Sequence, residues 1–170
     1  MLLLVISLCT ASCSDWLDVS PSNQVNGDKL FEIGDGYRNA LNGIYLNLGT
    51  SSMYGQTMSW GFMDAIAQYY KTDNGSNFIP KTSVYYKSAK FQFEDSDVKT
   101  FISNIWSVSY NNIANCNNLI LNVSEASPSV FKEGEFEKNM IWGEALALRA
   151  FMHFDLLRLF APAISKDDGK

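Results

Sequence analysis

Apolar positions along this chain recur at three- and four-residue spacing in four stretches, and each stretch predicts an amphipathic helix. In the first, Tyr37, Leu41, Ile44, Tyr45 and Leu48 share a face, with Asp35 placed to cap the start and Gly49 to close the end. A second helix is predicted from about Thr57 to Tyr70, with Met58, Phe62, Ala65, Ile66 and Tyr69 on one stripe. The third pattern is the clearest. After Asp95-Ser96, apolar residues recur at Val98, Phe101, Ile102, Ile105, Trp106, Ile113, Cys116, Leu119, Ile120 and Val123. The fourth begins near Glu135 and carries Phe136, Met140, Ala147, Phe151, Phe154, Leu157 and Phe160, with Glu144, Arg149, Asp155 and Arg158 off the stripe, until Pro162 stops it. Ahead of all four, Asp28 is placed to cap a short turn holding Leu30 and Phe31.

The pattern predicts an all-α fold. A loop from Ser124 to Gly134, containing Pro128, joins the third and fourth helices, so 96–160 should form an antiparallel hairpin. Small residues Gly143, Ala145 and Ala150 would allow the close approach seen in tetratricopeptide-like pairs. Between the second and third helices lies a long irregular loop, Lys71 to Lys90, with Asp73-Asn74-Gly75-Ser76-Asn77, Pro80 and Tyr85-Tyr86. Structureless stretches of that length inside a compact domain are usually functional or disordered, and the aromatic content speaks for function. A lone hairpin leaves apolar surface that neighbouring hairpins would cover, so the domain is expected to be incomplete, the N-terminal portion of a larger protein.

The chain opens on an uncharged apolar run, Leu2 to Leu8, that passes through Cys9-Thr10-Ala11-Ser12-Cys13 and turns polar at Ser14-Asp15. That run is too short for a spanning helix, which needs about 20 apolar residues, but suits the core of an export signal. Small Ala11 and Ser12 before Cys13 fit cleavage ahead of a lipidated cysteine; Cys9 follows bulky Leu8 and fits worse. Thr10 stands where such signals usually carry an aliphatic residue, and no Lys or Arg precedes the run, which points to a start upstream of Met1. The alternative, an N-terminal element packed into the core, sits poorly with the abrupt change of polarity. The expected organisation is a signal over 1–12, a tether and extended lead-in over 13–27, and the helical part over 28–170.

Composition narrows the function. The chain is 46% hydrophobic and 14% aromatic, enough for a core with rings to spare. A formal charge of −5 excludes the concentrated basic surface that phosphate neutralisation needs, so no nucleic-acid partner is expected. Once Cys9 leaves with the signal and Cys13 is lipidated, Cys116 remains alone at an apolar helix position and reads as core. One histidine and one free cysteine cannot build a structural zinc site, and no cofactor is expected. Glu144 with Arg149 reads as an ion pair, and His153 on a helix flank as structural, because no nucleophile elbow or phosphate loop accompanies them. The protein is not expected to be an enzyme. Tyr69, Tyr70, Tyr85 and Tyr86, with Asp73, Asn74 and Asn77 around the long loop, are the candidates for contact with sugar rings and hydroxyls, although tyrosines at a helix end also commonly pack half-buried. Trp60 is a further candidate; Trp106 and Trp142, inside long helices, are expected in the core.

Several ordered stretches together resemble the SusD/RagB family of outer-membrane nutrient-binding lipoproteins of Bacteroidetes polysaccharide-utilisation systems. They are Cys13 with Trp16-Leu17-Asp18-Val19-Ser20-Pro21, then Ala40-Leu41-Asn42-Gly43-Ile44-Tyr45, then Trp106 with Tyr110-Asn111-Asn112-Ile113, Asn115, Asn118 and Leu119. Gly143-Glu144-Ala145, Leu148-Arg149-Ala150-Phe151, Phe154-Asp155-Leu156 and Leu159-Phe160-Ala161-Pro162 complete the set. The resemblance implies tetratricopeptide-like pairs, a lipid anchor at Cys13 on the outer membrane facing the exterior, Asp15 as part of the surface-export signal, and a TonB-dependent, SusC-like transporter as partner. It further implies capture of an oligosaccharide and its delivery to that transporter. A scaffold or lid role with ligand contacts elsewhere, or a peptide ligand, remains the alternative.

Overall fold

The computed structural model describes residues 27–72 and 79–162. In order these form α1 (Gly27–Leu30), α2 (Gly34–Leu48), a wide π-helical turn (Thr57–Gly61) running into α3 (Phe62–Ile66), α4 (Val84–Ala89), α5 (Ser96–Glu125), a 3-10 turn (Pro128–Val130) and α6 (Gly134–Phe160). No strand occurs among the described residues. Cys13, Asp15, Asp73, Asn74 and Asn77 lie outside them.

The hairpin forms as its pattern predicts. Asp95 caps α5 by accepting hydrogen bonds from the Asp97 and Val98 amides at 2.9 and 3.4 Å, and the 30-residue helix then extends roughly 45 Å. α6 returns antiparallel to it: Lys138 Nζ donates to the Ala126 carbonyl near the turn, Arg149 Nη1 donates to Asn117 Oδ1 midway, and the Trp106 and Phe160 rings meet at the far end. α2 lies against both. Its Tyr37, Leu41, Ile44 and Leu48 enter one core with Ile113, Cys116, Leu119 and Val123 of α5 and Ile141, Ala145, Met152 and Leu156 of α6. Each fully buried aliphatic side chain there contributes about 1.5–3 kcal/mol. Cys116 is wholly buried, and burial pushes its thiol pKa up to about 11, so it stays a neutral packing residue.

Gly36 fixes the start of this arrangement, because a Cβ there would run into the Leu30 carbonyl at the end of α1. The expected cap at Asp35 does not form: α2 begins one residue before it, and Asp35 sits in the first turn and pairs with Lys132 at 2.7 Å; α1 begins at Gly27, one residue ahead of Asp28. Gly49 does end α2, donating its amide to the Tyr45 carbonyl, but with ordinary right-handed backbone.

Three further expectations are corrected. The predicted α6 stripe faces away from the core: Phe136, Met140, Phe151, Phe154 and Leu157 are exposed, as are Gly143 and Ala150, whereas Ile141, Ala145, Met152 and Leu156 point inward. α6 is apolar nearly all round, so periodicity cannot choose a face; Ala145 faces inward, where the helices pack. Trp106 and Trp142, expected in the core, are 44% and 38% exposed. Glu144 and Arg149 do not pair with each other; Glu144 accepts from the Tyr45 hydroxyl at 2.9 Å and Arg149 holds Asn117.

Candidate functional site

The predicted helix 57–70 stops early. At Gln68 the backbone turns left-handed, φ 63°, and its carboxamide donates 2.6 Å to the Ala89 carbonyl at the end of α4. The segment after α3 is therefore bound to α4. That second helix is itself a correction, since 71–90 was expected to be irregular; the Ser83 hydroxyl caps it by accepting from the Tyr85 amide at 3.3 Å. Lys87 then joins α4 to the start of α5 through Asp95 and Asp97, at 2.9 and 2.7 Å, and these carboxylates raise its pKa.

This frame collects aromatic rings at one end of the molecule. Tyr69 is 78% exposed, having left the apolar stripe on which periodicity placed it. Tyr70 donates its hydroxyl to the Trp60 carbonyl, and burial, then the nearby Asp64 carboxylate and Tyr85, hold that hydroxyl above the ordinary tyrosine range. Trp60 donates its indole N–H to the Gly55 carbonyl at 3.1 Å and leaves its ring exposed. Tyr85 is half-buried, edge-on to Phe101 at 5.8 Å, and Phe101 in turn meets Phe62 at 5.7 Å. Tyr86 instead lies under Lys90, whose ammonium stands 6.0 Å from the ring centre. Of the predicted contact residues, Tyr70 and Tyr85 come together, Tyr69 projects beside them into solvent and Tyr86 turns to a cation.

Sequence reasoning passed over two further groups of exposed rings. Phe91 and Phe93 meet edge-on at 5.9 Å after α4, Phe91 with φ 55°. Trp106, Tyr110 and Phe160 cluster at the far end of the hairpin, with Trp106 4.7 Å from Tyr110 and 4.9 Å from Phe160. His153, expected to be a satisfied structural residue, is exposed and edge-on to Tyr110 at 6.1 Å. Helical spacing could not separate Trp106, Tyr110 and Phe160 from core residues, because they lie on apolar helix positions; Phe91 and Phe93 lie in the turn after α4, where no helical period applies.

Residues 15–169 match the SusD-like family, described as starch-binding and associating with the outer membrane. The chain belongs to the SusD-like family. Nothing matches among curated proteins or solved structures. In this SusD-like chain two of the stretches that carried the resemblance are tied in space, Tyr45 of α2 bonding Glu144 of α6; buried Asp155 of α6 accepts 2.8 Å bonds from Tyr54 and from Arg158 on its own helix. No helix among the described residues is long and apolar enough to cross a membrane.

Proposed function

We propose that this SusD-like chain captures a starch-like oligosaccharide outside the cell and passes it to a TonB-dependent, SusC-like transporter, held at the outer membrane by a lipid on Cys13. The observation that carries the reading is the aromatic end built by α3 and α4. There Tyr69 and Trp60 offer open ring faces beside the anchored hydroxyl of Tyr70. Sugar rings need such faces for their C–H surfaces and polar groups for their hydroxyls. The chain binds rather than cleaves in this reading, and the organisation is signal 1–12, tether 13–27 and helical part 28–170.

Calorimetric titration with maltoheptaose tests it. Tyr69→Ala and Trp60→Ala should each weaken binding about tenfold, with an unchanged thermal melt because both rings are exposed; unchanged affinity in both would remove the support for a site here. Fatty-acid labelling that disappears in Cys13→Ala tests the anchor.

A second reading, a scaffold for the transporter, is favoured by the outward apolar face of α6. It predicts that Phe136→Ser and Phe154→Ser abolish co-purification with the barrel while leaving sugar affinity intact.

A further inference from the structure

Residues 106–110 of α5 and the last turns of α6 enclose a cleft of about 320 Å³, lined by Trp106, Tyr110, His153, Leu156, Leu157 and Phe160. Trp106 meets Phe160 edge-on at 87° and Tyr110 meets His153 edge-on at 81°, while Trp106 and Tyr110 tilt against each other at 44°. Trp106, Tyr110 and Phe160 are 44%, 39% and 37% exposed. Among the described residues, the Trp106 indole N–H, the Tyr110 hydroxyl and the His153 imidazole have no hydrogen-bonding partner, and all three belong to this one cleft.

We infer that this cleft is a second sugar subsite, taking one ring of an oligosaccharide whose other rings lie at the α3–α4 end; the inference rests on the function proposed above. Chemistry selects the occupant. A purely apolar partner would bury three hydrogen-bonding groups unpaired, which disfavours it. A charged ligand would find no Lys, Arg, Asp or Glu in the lining. A neutral ligand with an apolar face and a hydroxylated edge satisfies both demands, and a pyranose ring is such a ligand. The volume lies at the lower end of the roughly 300–1,000 Å³ of ligand pockets, which suits one ring rather than a chain.

The two places are also connected. Phe160 lines a neighbouring cleft of about 200 Å³ with Phe62, Ile66, Phe93 and Ile102. From Phe62 the ring contacts continue through Phe101 to Tyr85. Ring contacts through the buried Phe62 therefore fix the Tyr85 end and the two clefts to one packed frame, with the cleft at Phe160 lying between them.

Titrations of the full chain with maltotriose and maltoheptaose test the inference, with thermal melts as the check on folding. Wild type should bind maltoheptaose at least tenfold more tightly than maltotriose. Trp106→Leu should cut maltoheptaose affinity about tenfold while changing maltotriose affinity less than twofold. Tyr110→Phe, which keeps the ring and removes only the hydroxyl, should cut maltoheptaose affinity about fivefold. If Tyr69→Ala weakens binding but Trp106→Leu and Tyr110→Phe do not, the second subsite is overturned and the proposed function stands. If wild type binds neither sugar, both are overturned. If Trp106→Leu changes only self-association in sedimentation, the cleft is an interface between copies and the inference fails.

Discussion

The two ends of the α5–α6 hairpin are built on opposite rules. At the turn end charged groups pair across elements: Arg38 grips Glu137 at 2.7 and 3.1 Å, the Glu133 amide donates to the same carboxylate, Lys132 holds Asp35, and the Phe31, Tyr37 and Phe131 rings meet in sequence. At the far end, rings of similar size stand half-exposed, and Trp106, Tyr110 and His153 keep their polar atoms unpaired within the described residues. Under the inference drawn above, one hairpin separates holding the fold from meeting a ligand. Satisfied polar groups near apolar contacts stabilise, whereas unpaired ones beside open ring faces recognise.

Substitutions can break or sharpen that contrast. Ile141→Ala, at a wholly buried position in the core of α6, should lose about 3 kcal/mol of stability in denaturant unfolding. Sugar affinity of the folded fraction should be unchanged; a parallel loss of affinity would show that the ends are coupled. Tyr54→Phe takes the 2.8 Å donor from buried Asp155 and should cost about 1–2 kcal/mol, read the same way. Gly143→Ala sits mid-helix on the outward face, where a Cβ meets nothing, and should raise stability by about 0.5–1 kcal/mol. Destabilisation instead would reveal a close-packed neighbour on that face.

Acid provides the gentlest probe. Arg38, then the Glu133 amide, hold the Glu137 carboxyl below its ordinary 4.5, so the unfolded chain binds that proton more readily than the folded one. Its contribution should be complete above about 4.5 and fade as pH falls through the lowered folded value. Glu137→Gln should flatten that part of the profile of melting temperature against pH; an unaltered slope would discount the pair.

Much of this was legible in the residues. α5 announced itself because apolar residues recur at helical spacing along its length, most of them on the packing face, and Asp95 starts it where capping chemistry requires. α6 announced its length but not its orientation, since Phe and Leu occupy the outer face while Ile141, Ala145 and Met152 occupy the inner. Glu137 and Asp155 are buried charges whose partners, Arg38 and Tyr54, lie about a hundred residues away in sequence. Local spacing carries no trace of such pairings. The tyrosines near α3 and α4 were identifiable by type and crowding, but which of them meet depends on the left-handed turn at Gln68, a conformation glutamine seldom adopts.

That turn has a consequence for how specificity can change. The Gln68 carboxamide and the Ala89 carbonyl, 21 positions apart, clamp the two ends of everything between them. With the ends held by the frame, added residues within that span cost little closure entropy, because the penalty grows only logarithmically with length. Under the proposed function the span is a cassette for sugar contact: the part ahead of α4 can be exchanged while α4 keeps Lys87 for Asp95 and Asp97 and Tyr85 for Phe101. Gln68→Ala would unlatch it.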